Sequence, residues 1–244
     1  MPNDTLQDWF TTPLGQYLLE KEQAYLDDVT SDIFGFHALQ VGLAKFDLLR
    51  ASRIAHRVRV DATGLPDLYA KSHELPVATQ SVDLVVLPHA LEFAAQPHEI
   101  LREVDRVMMP EGRLVIVGFN PWSLWGLRSA VGFSRSEVPW NGRFVSLLRV
   151  KDWLALLGFD VNAGRLVGYA PPFDSDSVRR RFGFMEPAGD RWWAVGGAVY
   201  MLQAIKRVRG MRLLTPAWVE QKDAREKALA AAKRQSVSHL KVVK

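Results

Sequence analysis

The first apolar positions, Trp9, Leu14, Tyr17, Leu18, Tyr25 and Leu26, recur at helical spacing up to about Thr30 and are interrupted early by Pro13. This predicts an N-terminal helix packed on the domain. The pattern then shortens. HALQVG (37–42) is a brief apolar run closed by glycine, and RVRVD (57–61) alternates before the turn-forming ATGLPD. Both predict strands. SVDLVVL (81–87) is an almost unbroken run of β-branched residues and leucine, as expected of a parallel strand covered on both faces. After it, Pro97 is placed to open a helix with an apolar stripe of Ile100, Leu101, Val104, Val107 and Met108 and with Arg102, Glu103 and Arg106 outside. Pro110 and Gly112 stop that helix, and RLVIVGF (113–119) is a further buried strand. Strand, helix and strand in this order predict a doubly wound parallel sheet.

Downstream, Val150–Leu157 reads as a helix closed by Gly158, Phe159–Val167 as a strand, and Trp193–Arg207 as a longer final strand. Residues 169–191, rich in Pro, Gly, Asp and Arg, read as loop. EQKDAREKALAAAKRQS (220–236) has a thin apolar face, which predicts a frayed exposed helix or disorder. The expected organisation is a helical extension over 1–30, a main domain over 31–215 with insert or loop segments at 120–145 and 169–191, and a basic tail over 216–244.

Composition narrows the chemistry. With 244 residues, 48% of them hydrophobic, the chain suffices for one substantial core. The absence of cysteine excludes disulfides, thiolate zinc sites and cysteine nucleophiles. The six histidines show no HExxH or His-x-His spacing, so no metal site is expected. MPNDTLQDWF has no basic stretch followed by an apolar run, which makes the cytoplasm the expected location. Trp192–Ile205 spans 14 residues, short of the roughly 20 a membrane-crossing helix needs. Charge is uneven: residues 206–244 hold 11 Lys/Arg and 3 Asp/Glu, whereas residues 1–205 hold 20 and 24. A basic tail on a mildly acidic body predicts a solvated arm with at most a weak contact to an anionic surface, and no specific nucleic-acid partner.

Within residues 75–128, the pieces LP followed by SVDLVV, then HALEF, then EILREVDRVMMPEGRLVI resemble the type 11 branch of class I S-adenosylmethionine-dependent methyltransferases, in that family's order and spacing. The branch includes quinone-biosynthesis methyltransferases, and GFNPWSLWGLR (118–128) resembles an uncharacterised bacterial group within it. The resemblance implies a Rossmann-like, mostly parallel seven-stranded sheet with an antiparallel last strand. It also implies S-adenosylmethionine as cofactor, and a methyl transfer (EC 2.1.1.-) by in-line displacement to a small or lipophilic acceptor.

In such enzymes glycines after the first strand let the backbone approach the cofactor, and an acid closing the second strand takes the ribose hydroxyls. Asp61, 19 residues after Gly42, is the candidate acid; the alternative is a turn residue or helix cap. In LQVGLAKF, Gln40 stands where the family has an acid, and Gly42, Ala44 and Phe46 stand where it has three glycines. Gln40, Gly42 and Ala44 are thus the candidate loop contacts, with a phenylalanine where close helix–strand packing is normally required. Leu87 and His89, at the carboxyl end of the central strand, are the candidates for the methionine side. His89 orients the acceptor, or takes its proton, or simply packs at the strand end. Lys71, Ser72 and His73 occupy the stretch where the family often has a small acidic adenine contact.

Asn120-Pro121-Trp122 follows the fifth strand, not the fourth, so it is read as a turn and not as a base-gripping motif. Trp122, Trp125 and Trp140 either pack in the core, line a substrate cavity or dip into a membrane interface. Arg179–Arg181 and KRVRGMR (206–212) are basic runs with phosphate, lipid or RNA as conceivable partners, although such runs usually form solvated faces. Two other functions stay open at this stage. One is a degenerate relative serving as a binding scaffold through its altered loop; the other is a membrane-surface factor anchored by Trp192, Trp193 and the basic stretch.

Overall fold

The computed structural model describes residues 2–131, 138–173, 182, 185, 191 and 195–207. Expectations for the basic tail, for Arg179–Arg181 and for Trp192 and Trp193 fall outside the described residues.

The N-terminal periodicity resolves into two helices, α1 (Pro2–Trp9) and α2 (Pro13–Ser31). The break is a capping event: the Thr12 side chain accepts the Gly15 N–H at 3.2 Å while Pro13 takes the first helical position, where a missing N–H costs nothing. The strands are β1 (His37–Val41), β2 (His56–Asp61), the two-residue β3 (Leu68–Tyr69), β4 (Val82–Pro88), β5 (Met108–Phe119), β6 (Phe159–Val167) and β7 (Val199–Lys206). The remaining helices are α3 (Pro97–Val107), α4 (Leu124–Val131) and α5 (Leu147–Leu156). α4 lies in the stretch read as insert, and β3 has no hydrophobic pattern long enough to announce it.

The seven strands form one sheet in the order β3-β2-β1-β4-β5-β7-β6. Pairings from β3 through β5 are parallel, and β7 runs antiparallel to both of its neighbours. This is the Rossmann-like, doubly wound arrangement expected from the sequence. β7 starts six residues later than expected and is an inner strand. Tyr200, Met201 and Leu202 are buried, so Val199–Lys206 belongs to the sheet, and of the stretch considered as a membrane anchor only Lys206 and Arg207 are among the described residues.

Alternation along the central strands feeds two cores. Val85 and Leu87 of β4 and Leu114 and Ile116 of β5 pack with Ile100, Leu101 and Val104 of α3 and with Val150 and Leu154 of α5. Leu84, Val86, Val115 and Val117 face the other way, toward Leu6 and Phe10 at the N-terminus and Leu14, Leu18 and Leu26 of α2.

The crossover from β1 to β2 departs from the usual pattern. Residues 42–55 form turns instead of a helix, and Leu43, Leu48, Leu49 and Ile54 drop directly into the second core. No helix of the described residues is long and apolar enough to cross a membrane.

Candidate active site

Parallel strands of an open sheet leave a crevice beyond their carboxyl ends where the strand order reverses. Here that point lies between β1 and β4, and a cavity of about 590 Å³ opens there. Gly42 and Leu43 follow β1 on its wall, Ala62 and Thr63 follow β2, and Pro88, His89 and Ala90 follow β4. Leu6 of α1 and the stretch Lys71–His73 close the sides.

Gly42 is required where it stands. Its φ is +100°, and a Cβ would lie 3.3 Å from the Pro88 carbonyl oxygen. A side chain would be strained in that conformation and would crowd the crevice between β1 and β4.

Gln40 explains how the loop holds together without its other glycines. The side chain is fully buried, and its Nε2 shares two N–H groups among the carbonyls of Gly42 (3.0 Å), Leu43 (3.1 Å) and Phe46 (2.9 Å). Its Oε1 accepts the Leu48 N–H at 3.0 Å. A carboxylate at this position has no hydrogen to give those three carbonyls, so the amide is the residue the turn-built loop needs. Phe46 causes no clash because the helix it would have crowded is absent; its ring sits edge-on to Phe10 with centroids 6.2 Å apart.

Asp61 is only 2% exposed. Its Oδ2 accepts from Gln7 Nε2 at 3.2 Å and from the Ala44 N–H at 3.4 Å, while Oδ1 accepts from the Thr63 N–H at 3.3 Å. Gln7 is held in turn by the Lys45 N–H, which donates to its Oε1 at 2.9 Å. The helix α1 therefore covers the acid at the end of β2 with an amide. Ala44 is buried behind the loop and Leu87 lies in the core. Of the six residues proposed from sequence, Gly42 and His89 line the cavity, whereas Gln40, Ala44, Asp61 and Leu87 are buried and do not line it.

His89 lies at the bend after β4 with φ +51° and is 1% exposed. Its Nε2 is 3.0 Å from Glu22 Oε1 of α2, its Nδ1 is 3.5 Å from Glu92 Oε1, and Phe10 and Phe119 flank the ring. Burial by itself lowers the imidazole pKa, but the Glu22 charge and hydrogen bond, together with Glu92, outweigh it and raise the group to about 10. At neutral pH His89 is an imidazolium clamped between two carboxylates. This balance favours a fixed, charge-bearing part of the cavity wall, the packed reading of His89, over a proton-accepting one.

Glu92 also binds the sheet, accepting the Phe119 N–H at 2.6 Å. Tyr200 is buried beside it, with a hydroxyl that finds no partner and a pKa raised by burial and then by the Glu92 charge.

Asn120 behaves as the turn residue expected: its Nδ2 donates to the carbonyls of Val195 (2.8 Å) and Gly197 (2.9 Å). Trp125 and Trp140 are core residues, whereas Trp122 is 75% exposed. Sequence reasoning did not find Gln7, Glu22 or Glu92. Their partners lie 54, 67 and three residues away, and one polar residue on a helix, as Gln7 and Glu22 are, or in a turn, as Glu92 is, carries no mark of such a role. No cluster of three or more metal-ligating side chains occurs among the described residues.

Comparison with known proteins bears on this geometry. Residues 43–116 match the type 11 family of the methyltransferase domain. The chain is 39% identical over 155 residues to an uncharacterized Escherichia coli K12 protein, YafS, covering 63% of this chain and 65% of that one, slightly less than two thirds of its length. It is 30% identical over 86 residues to a demethylmenaquinone methyltransferase of Chlamydia pneumoniae, over 32% of this chain and 35% of that one. Among solved structures, an S-adenosylmethionine-dependent methyltransferase of Thermotoga maritima, a possible histamine N-methyltransferase, superposes with a TM-score of 0.60 at 15% identity. That likeness covers 82% of this chain and 93% of the other, and it establishes the fold.

Proposed function

We propose that this chain, which carries a type 11 methyltransferase domain on a class I methyltransferase fold, binds S-adenosylmethionine in the crevice between β1 and β4 and methylates a small or lipophilic acceptor there. The observation that carries the reading is the cavity itself. It lies beyond the carboxyl ends of β1, β2 and β4, at the reversal of strand order, and its volume of about 590 Å³ is within the usual range for small-ligand sites.

The residues fit the cofactor's parts. Gly42 leaves the backbone bare where a side chain would fill the cradle, Asp61 has the chemistry to accept both hydroxyls of a ribose, and Ser72 and Thr63 offer hydroxyls on the adenosine side. Because Gln7 now covers Asp61, ribose access requires α1 to draw back by its first turns. When bound, the cofactor supplies an electrophilic methyl group on a sulfonium, toward which the acceptor's nucleophile lines up. The protein's part is to hold that alignment and exclude water. His89 contributes by rigidity: with both ring nitrogens facing carboxylates, it fixes the bend after β4 and the cavity wall beside it.

Equilibrium dialysis with methyl-tritiated S-adenosylmethionine tests the reading. Saturable one-to-one retention that S-adenosylhomocysteine displaces is the expected result. No retention by folded protein at millimolar ligand overturns it.

A further inference from the structure

A second groove, about 400 Å³, lies next to the cofactor cavity and shares Ala95 and Gln96 with its wall. Pro97 and His98 at the start of α3 form one side, Pro121 and Trp122 after β5 another, and the approach to α5 with Arg143 and Arg149 the third.

Three properties set this groove apart. First, no aspartate or glutamate lines it, although residues 1–205 carry more acids than bases, 24 against 20. Glu99, in the first turn of α3, lines the cofactor cavity instead. Second, the two guanidinium groups are uncompensated: neither Arg143 nor Arg149 forms an ion pair among the described residues. The Arg149 group instead lies over the Trp153 ring, 5.4 Å from its centroid. Third, Trp122 presents an indole that is 75% exposed, while the other two tryptophans of its segment are buried.

Unpaired guanidinium groups in a partly apolar concavity focus a positive potential, and their planar fork matches the oxygens of a carboxylate or phosphate. An exposed indole supplies a flat apolar surface for a ring or a conjugated chain. We propose that this groove holds the far end of the methyl acceptor, and that the acceptor is an organic anion with a planar apolar body bearing a carboxylate or phosphate. The proposal rests on the methyltransferase reading, since it takes the adjoining cavity as the cofactor's. Because the two cavities adjoin at Ala95 and Gln96, an acceptor held with its anionic group at Arg143 and Arg149 could reach the first cavity with its reactive end.

The test uses 1-naphthyl phosphate and 1-naphthol, which share the ring system and differ in charge, followed by calorimetry or tryptophan quenching. The full-length protein is expected to bind the phosphate at least about tenfold tighter than the naphthol, the difference a charge-assisted hydrogen bond supplies. The Arg143→Ala/Arg149→Ala double variant is expected to bring the two affinities within about twofold, and Trp122→Ala to weaken both probes. Equal binding of the two by the wild type, failure of both to bind at millimolar concentration, or a charge preference kept by the double variant overturns the proposal. S-adenosylhomocysteine titrated against the same proteins separates the two readings. The double variant is expected to bind it like the wild type. A wild type that binds the naphthyl phosphate but not S-adenosylhomocysteine overturns the cofactor reading, and with it the acceptor role of the groove.

Discussion

Replacing His89 by glutamine removes the positive charge between Glu22 and Glu92 and leaves two carboxylates buried without it. The loss is large for a single substitution. Removing one partner of a buried ion pair typically costs about 3–5 kcal/mol, because the surviving charge stays desolvated. The raised pKa of His89 points the same way: each unit is worth about 1.4 kcal/mol. It also fixes the pH dependence. An imidazole raised from 6.5 when unfolded to about 10 when folded lends its full stabilisation below pH 6.5, loses it progressively as pH rises, and lends none above about 10. Urea unfolding of wild type and His89→Gln at several pH values is the assay. A difference of several kcal/mol near pH 6.5 that shrinks steadily toward pH 10 is the expected outcome. A second substitution, Glu22→Gln on top of His89→Gln, is expected to recover part of the loss, since it removes a carboxylate that no longer has a counter-charge. A difference below about 1 kcal/mol, or one that does not change with pH, refutes the charged clamp.

Three further outcomes follow from the site. Gln40→Glu, which installs the acid usual in type 11 methyltransferases, is expected to destabilise the protein by at least about 3 kcal/mol in chemical denaturation. It sets a carboxylate against three carbonyl oxygens and strips them of their donor; an unchanged unfolding midpoint contradicts the account of the loop. Gln7→Ala uncovers Asp61 and is expected to tighten S-adenosylhomocysteine binding by up to about tenfold, the worth of one hydrogen bond to a charged group. Weaker binding instead makes Gln7 a cofactor contact. Tyr200→Phe removes a buried hydroxyl that has no partner, so thermal unfolding is expected to be unchanged or raised, by about 1 kcal/mol in stability. A loss of 2 kcal/mol or more contradicts it.

The sheet was legible in the sequence because its central strands are buried on both faces. Val82–Leu87 and Leu114–Phe119 admit one polar residue, Asp83, and the stripe Ile100, Leu101, Val104, Val107 faces one core as its periodicity requires. The order of segments then left little freedom in topology. The crossover after β1 was not legible, because it is organised by one amide, Gln40, whose bonds to four backbone groups mimic what a glycine-rich loop and helix do elsewhere. Substituting glycines looked like damage in the sequence, yet in the fold it accompanies a different local structure. Asp61 was found as an acid ending a strand, while its cover was not, since Gln7 meets it only when α1 docks over the end of β2. His89 was found at the strand end, while its partner Glu22, from a distant helix, was not. Long-range polar partners of this kind leave no periodic trace, whereas apolar burial does.

The central claim is that the crevice between β1 and β4 is a cofactor site anchored by Asp61. Calorimetric titration of the wild type and of Asp61→Ala with S-adenosylhomocysteine tests it most directly, with circular dichroism to establish that both are folded. The account predicts micromolar binding by the wild type and a loss of at least about a hundredfold in the variant, as two hydroxyl hydrogen bonds to a carboxylate require. Equal affinity in the two proteins, or no binding by the folded wild type at millimolar ligand, contradicts it.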